Sequence, residues 1–478
     1  MKTLRLSILA CAAALALFAQ DAGLVLRTSV GYGTQRASLN LTEEQAAQAD
    51  DFARQARQAT QQQKYGEALR LYARGMAVMR NAPWTPAVEC ATALEAKLDH
   101  TLIEPGRNVT VTLKAMYPCP KVEPALTASV FLADESLASK LTIDPSALPF
   151  TTRISVPARP AGDYALQVRL SGGAEAPTGA FVKPLPIHIE ALSAEAEGLR
   201  KRLASIKKEN SASATAAYGL ALYDLADRGD LNPHRYKFHE ELAAANAILD
   251  ALDAGRDPFA GRRGDLRKAY RSAVDRTLQP YRLFIPSAYD GSKPAPLVVA
   301  LHGMGGDENS MFDSYANGLL KREADRLGMM VVCPKGRDSA SMYRGSAEQD
   351  VLDVLAEVRR DYKVDSNRIY LMGHSMGAYG TWSVAMAHPD LFAALGPISG
   401  GGDTNGMVKI RTIPEYVVHG DTDHTVNVSQ SRRMVEAGRA AGAPITYVEI
   451  PGGSHVGVAA PQFAPMLDFF AKQVRHDN

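Results

Sequence analysis

Leu371-Met-Gly-His-Ser-Met-Gly377 decides the fold of the C-terminal part of the chain. It follows the apolar run Arg368-Ile-Tyr-Leu371 and precedes a segment, Ala378 to His388, that reads as a helix. Strand, tight turn and helix therefore meet at Ser375. Such a turn holds the serine backbone in a strained conformation and raises its hydroxyl above the sheet edge. Gly373 and Gly377 suit it because a side chain at either would crowd the adjoining strand and helix. The Gly-x-Ser-x-Gly match alone is weak, and the strand-turn-helix context gives it weight.

Working outward, the pattern from about Thr277 alternates strand and helix. Strands are predicted at 281–285, 297–301, 329–333, 369–372, 394–398, 415–418 and 446–450. Helices are predicted at 311–327, 347–362, 378–388, 429–441 and 461–474. That order implies an α/β fold, a mostly parallel sheet with helices on both faces. Functional groups of such sheets gather at the carboxyl ends of the strands.

A serine in this turn needs a base, because its hydroxyl is protonated near neutral pH. Acid and histidine should follow it in that order, each after a strand. Val417-Val-His-Gly-Asp-Thr-Asp423 closes one strand and Pro451-Gly-Gly-Ser-His455 the next. Ser375 is the predicted nucleophile and His455 the predicted base; the tail residue His476 is the only other histidine in the right order. Asp421 and Asp423 share the acid loop, and the spacing His-Gly-x-x-Asp-x-x-Val selects Asp423. An oxyanion site needs two backbone N–H groups. Met376, after the serine, and Met304, in the loop Leu301-His-Gly-Met-Gly-Gly306, are the predicted donors. His302, His374 and Tyr343 are expected near substrate. Each also has a plainer reading: His302 as a brace for the oxyanion loop, His374 as a packing neighbour, Tyr343 as loop packing. Trp382 reads as core. No spacing suggests a metal site, and no cofactor is implied.

These residues resemble the α/β-hydrolase superfamily. The resemblance rests on Leu301-His-Gly-Met-Gly-Gly-Asp307, Val364-Asp-Ser-Asn-Arg-Ile-Tyr370, Gly373-His-Ser-Met-Gly377, His419-Gly-Asp-Thr-Asp423 and Gly452-Gly-Ser-His455. It is greatest to secreted esterases related to feruloyl esterases, polyhydroxybutyrate depolymerases and predicted peptidases of prolyl-oligopeptidase type. It covers about the last two hundred residues. It implies a Ser-Asp-His triad and a covalent acyl-enzyme acting on carboxylic esters, including polymeric or polysaccharide-linked ones. A serine peptidase is the second reading. A hydrolase-fold binding or scaffold protein without activity is the third.

The 478 residues leave room for about three domains. Residues 1–19 read as a secretory signal: Lys2 and Arg5 are followed by apolar Leu6 to Phe18, with Ala19 at the cleavage position. This implies a periplasmic or secreted protein. Cys11 invites a lipid-anchor reading, but apolar residues run on past it. Residues 42–98 read as a helical hairpin, with Thr42 and Gln45 as a capping box and a partial tetratricopeptide-like string, Tyr65-Gly-Glu-Ala-Leu69, that lacks a second copy. Residues 100–190 carry short strands between turn signals. They resemble an immunoglobulin-like β-sandwich, which some relatives of this superfamily carry ahead of the hydrolase domain. Residues 192–276 read as a helical connector or cap, and 277–478 as the catalytic domain. Cys90 and Cys119 are either paired or free; Cys333 reads as a core thiol. A net charge of +1 gives no sign of a nucleic-acid partner. Past the signal, no segment reaches the length of a membrane span.

Overall fold

The computed structural model describes residues 22–172 and 181–475. The predicted signal segment and His476 lie outside them. The described chain forms two compact units: residues 22–209 with 216–256, and residues 210–215 with 257–475.

The first unit opens with three helices, α1 (22–38), α2 (Glu43–Gln61) and α3 (Tyr65–Met79). Alanines at 49, 53 and 56 form one face of α2 and pack with Val25, Tyr32, Leu69 and Tyr72. The α2 start is sealed from both sides. Thr42 Oγ1 accepts from Gln45 N at 3.2 Å, and Gln45 Oε1 accepts from Thr42 N at 3.1 Å. The helical stretch is not confined to 42–98. It begins upstream with α1 and ends at α4 (Pro86–Ala93), after which β1 (Leu94–Leu98) enters a sheet.

Two sheets follow. One has the order β1, β3 (Asn108–Ala115), β6 (Phe150–Ser155). The other has the order β2 (Leu102–Ile103), β8 (Val182–Ile189), β7 (Gly162–Ser171), β4 (Thr127–Leu132), β5 (Glu135–Thr142). Every second residue of β3 and β4 is buried, and Val109, Val111, Leu113, Val130, Leu132, Val168 and Ile187 share one core. β5 escapes sequence reading because it is an edge strand with no buried residue and thus no alternation. Cys90 and Cys119 form a disulfide. Helices α5 (Ser193–Ala204), α6 (Ser211–Asp227) and α7 (Phe238–Asp253) follow, with Leu242, Ala245 and Ile248 on the buried stripe of α7.

The second unit is an eight-stranded sheet. Its order is β16 (Ile445–Ile450), β15 (Glu415–Gly420), β14 (Ala394–Ile398), β13 (Val364–His374), β11 (Ala295–Leu301), β12 (Met330–Pro334), β10 (Leu278–Ile285), β9 (Gly264–Arg271). The strands from β16 to β12 run parallel, and β10 and β9 pair antiparallel beyond them. Neither 276 nor 277 is therefore a boundary: β9 lies inside the expected helical connector and pairs along its whole length with β10. Its sequence, Gly-Asp-Leu-Arg-Lys-Ala-Tyr-Arg, hides it. Lys268 points inward, 1% exposed, with Nζ 2.7 Å from Asp361 Oδ2. An inward charge is legible only once its partner is in place.

Strand order reverses between β11 and β13, because the chain goes from β11 to β12 on one side and then returns to β13 on the other. A crevice at the carboxyl ends of these two strands is the expected place for a ligand. The amino end of β15 carries a different feature. Glu415 is fully buried, one oxygen accepting from Trp382 Nε1 at 2.8 Å and the other, Oε1, without a hydrogen-bond partner among the described residues. Burial pushes its carboxyl up to about 7, and the Trp382 bond offsets this only in part. A carboxyl raised above its ordinary 4.5 favours folding most below that value, and the benefit is lost as pH rises through about 7. A tenfold change in proton affinity is worth about 1.4 kcal/mol, so the effect is on the order of a few kcal/mol. Melting temperatures of the protein should fall between pH 5 and 8, and Glu415→Gln should flatten that slope. A wild-type profile already flat across this range would refute the assignment.

Candidate active site

Ser375 sits between the end of β13 and the start of α11 (Met376–Ala387), at φ 57° and ψ −118°. Left-handed backbone at a non-glycine residue is strained, and here neighbouring chain enforces it. Ser375 N–H donates to Ile398 O on β14 at 2.9 Å. A methyl group on Gly373 would lie 2.3 Å from Gly377 O, and one on Gly377 would lie 2.1 Å from Leu301 O. Both glycines are therefore required by close approach of β13, α11 and β11.

His455 follows β16 on a glycine-rich loop. Its Nε2 is 2.9 Å from Ser375 Oγ and its Nδ1 is 2.6 Å from Asp423 Oδ2. A carboxylate only accepts, so Nδ1 carries the proton and Nε2 is left to accept the Ser375 O–H. Asp421 points elsewhere: its Oδ1 accepts from Gly452 N at 2.7 Å. Asp423 is held by four donors. Thr425 N and Val426 N each donate to Oδ1 at 2.8 Å, while His419 Nε2, at 3.1 Å, joins His455 on Oδ2. Burial pushes the Asp423 carboxyl up, but the bonds from His419, His455 and the Val426 amide outweigh it. They hold it well below the usual carboxylate range.

Met376 is the first residue of α11, so its N–H has no acceptor within the helix. In the loop after β11, Gly305 N donates to Ser339 O at 2.8 Å and Gly306 N to Gly303 O at 3.0 Å. Met304 N, in the same turn, donates to no main-chain carbonyl among the described residues.

The three side chains expected near substrate lie behind the site. Tyr343 is fully buried, and its hydroxyl accepts from His302 N at 3.0 Å. Its ring fills the space that side chains at Gly336 and Gly380 would need. His302 is 1% exposed, with Nε2 2.7 Å from Lys335 O and Nδ1 2.8 Å from Gly303 O. His374 is 3% exposed and faces the His455 main chain. All three are buried and hydrogen-bonded to neighbouring main chain, the placement of the plainer readings as brace and packing groups.

Sequence reasoning assigned no role to His419, Ser431, Tyr315 or Ser399. His419 Nδ1 meets Ser431 Oγ at 2.7 Å, and Ser431 Oγ lies 2.9 Å from Gly400 O. His419 was visible in the His-Gly-x-x-Asp spacing. The other three come from separate elements and carry no local signal.

Comparison with known proteins finds relatives over part of the chain. The sequence model of the prolyl oligopeptidase family matches residues 340–416, a stretch that includes Ser375 and ends before Asp423. A bifunctional acetylxylan esterase/xylanase of Neocallimastix patriciarum is 30% identical over 139 residues, 28% of this chain and 20% of that protein. Feruloyl esterase B of Talaromyces funiculosus is 33% identical over 135 residues, 26% of this chain and 36% of that one. In strand order and in the places of these residues, the second unit is similar to the α/β-hydrolases. The chain thus spans about a fifth and a third of these two curated relatives. A solved thermostable esterase matches with 18% identity and a TM-score of 0.41, covering 79% of this chain and all of that one. In this unit Ser375, Asp423 and His455 stand after β13, β15 and β16, and the glycine-rich loop follows β11.

Proposed function

We propose that the α/β-hydrolase unit is a serine hydrolase that cleaves carboxylic esters. The observation that carries this reading is the unbroken Ser375–His455–Asp423 hydrogen-bond chain with the serine on a strained turn. Ser375 Oγ attacks the acyl carbon as His455 Nε2 takes its proton. The amides of Met304 and Met376 stabilise the oxyanion. His455 then protonates the leaving alcohol and an acyl-enzyme remains. Water, deprotonated by His455, releases the acid and restores the serine. The names of the relatives favour hydroxycinnamoyl and acetyl esters, including those carried on polysaccharide.

A peptidase is the second reading, favoured by the family of the matching sequence model. Parallel assays on methyl hydroxycinnamates, short acetyl esters and peptide anilides separate the two. Ester turnover that exceeds anilide turnover by orders of magnitude is expected; the reverse would make this a peptidase. Turnover of neither, with no labelling of Ser375 by a fluorophosphonate, would favour the binding-protein reading. Among the described residues no helix is long and apolar enough to cross a membrane. We read residues 1–19 as an export signal, in line with a 26% identical relative from Arthroderma benhamiae named an uncharacterized secreted protein. N-terminal sequencing of the mature chain checks this. The paired sheets of the first unit are read as an immunoglobulin-like module on the strength of their shared core.

A further inference from the structure

His455 stands on Pro451-Gly-Gly-Ser-His455, a loop with two successive glycines and Gly452 at φ +67°. Such a segment has little stiffness of its own. A base that must stay within hydrogen-bond reach of Ser375 therefore needs its main chain held from outside. We propose that His374 is a positioning residue that ties the His455 main chain to the nucleophile strand and so fixes the Ser375–His455 distance. The proposal rests on the serine hydrolase reading above.

His374 closes β13, one residue before Ser375. Its Nε2 lies 2.8 Å from His455 O, and its ring centre is 4.8 Å from that of His455. A carbonyl oxygen only accepts, so Nε2 carries a proton. Nδ1 lies 2.7 Å from Tyr315 Oη and accepts from it. The protons run one way: Tyr315 to His374, His374 to the His455 carbonyl. Among the described residues the other donor to that carbonyl, Ser399 Oγ, is more distant at 3.3 Å. The glycine-rich loop packs on the same residue, since a methyl group on Gly303 would lie 3.5 Å from His374 Nδ1 and 3.4 Å from Ser375 Cβ. His374 therefore touches the base loop and the oxyanion loop from the strand that carries the nucleophile.

Protonation does not disturb the tie. Burial, and then the neighbouring His455, push the His374 imidazole down to about 3. Burial also raises the Tyr315 hydroxyl, which keeps its proton. His374 adds no positive charge beside the imidazolium that His455 becomes during attack.

The test compares His374→Leu, His374→Gln and His374→Asn in the full chain. Glutamine carries an amide N–H₂ at about the reach of imidazole Nε2, whereas asparagine falls short and leucine has no donor. On the ester the wild type turns over best, His374→Leu should lose about a hundredfold in kcat with KM little changed, the typical cost of a small misplacement of reacting groups. Fluorophosphonate labelling of Ser375 should slow in parallel. Glutamine should recover most of the loss and asparagine should not. Melting curves report folding separately. If His374→Leu fails to fold, the glutamine–asparagine contrast decides. Wild-type kcat in a folded leucine or asparagine variant, equal losses in glutamine and asparagine, or a loss confined to KM would overturn the proposal. Failure of the underlying reading looks different: Ser375→Ala would then hydrolyse the ester as well as wild type, whatever His374 does.

Discussion

Ser375→Ala is expected to lower kcat for ester hydrolysis by about a millionfold, the typical cost of removing a triad nucleophile. The variant should keep its fold, because the hydroxyl contributes one hydrogen bond, to His455. It should also lose all fluorophosphonate labelling. His455→Ala should cost about as much, and the double variant little more than either, since the groups act as one unit. Additive losses would mean that the two side chains work independently and that their 2.9 Å contact is incidental. A Ser375→Ala enzyme with more than about a thousandth of wild-type kcat would end the triad reading, because binding and the oxyanion site alone leave far less.

Asp423→Asn is expected to cost about ten-thousandfold in kcat, with the fold intact. The carboxylate faces donors on both oxygens: backbone amides on Oδ1 and two histidines on Oδ2. An amide has only one acceptor end. If its oxygen takes the Oδ1 place, its N–H₂ group points at His455 Nδ1, and the imidazole must move its proton to Nε2. It can then no longer accept from Ser375. If the amide turns over, its N–H₂ group confronts the Thr425 and Val426 amides instead. Either way the base is lost or the loop is strained. Steady-state kinetics checks the size of the effect, and labelling should be slowed, not abolished, since Ser375 remains. Asp421→Asn, which alters only a bond to Gly452 N, should leave kcat within a few-fold of wild type. If Asp421→Asn proves the more damaging of the two, the acid has been misassigned.

The α/β pattern was readable because most strands of this sheet are short apolar runs, buried on both faces, between turn residues. β9 fails that test. Its inward Lys268 looks like a surface residue until Asp361, from the end of a helix far along the chain, lies beside it. The placement of Ser375, Asp423 and His455 was legible because each sits just after a strand, where main-chain order alone brings them together. For His302, His374 and Tyr343 the sequence left two readings open, substrate contact or bracing and packing, for the converse reason. Which way a side chain turns at a strand end depends on partners such as Lys335, Tyr315 and the His455 carbonyl, and no local pattern encodes those. β5 and β1 were missed because a solvated edge and a strand that follows directly on a helix leave weak periodicity.

β15 carries a buried carboxylate at its start and delivers another just past its end, and the two respond to acidity in opposite ways. Asp423 is ionised across the whole working range, whereas Glu415 gains its charge as the solution approaches neutrality. A rise in pH therefore leaves Asp423 as it is while it loosens the scaffold at the other end of the same strand. The protein should keep longest in mildly acidic buffer, and a Glu415→Gln form should store as well at neutrality.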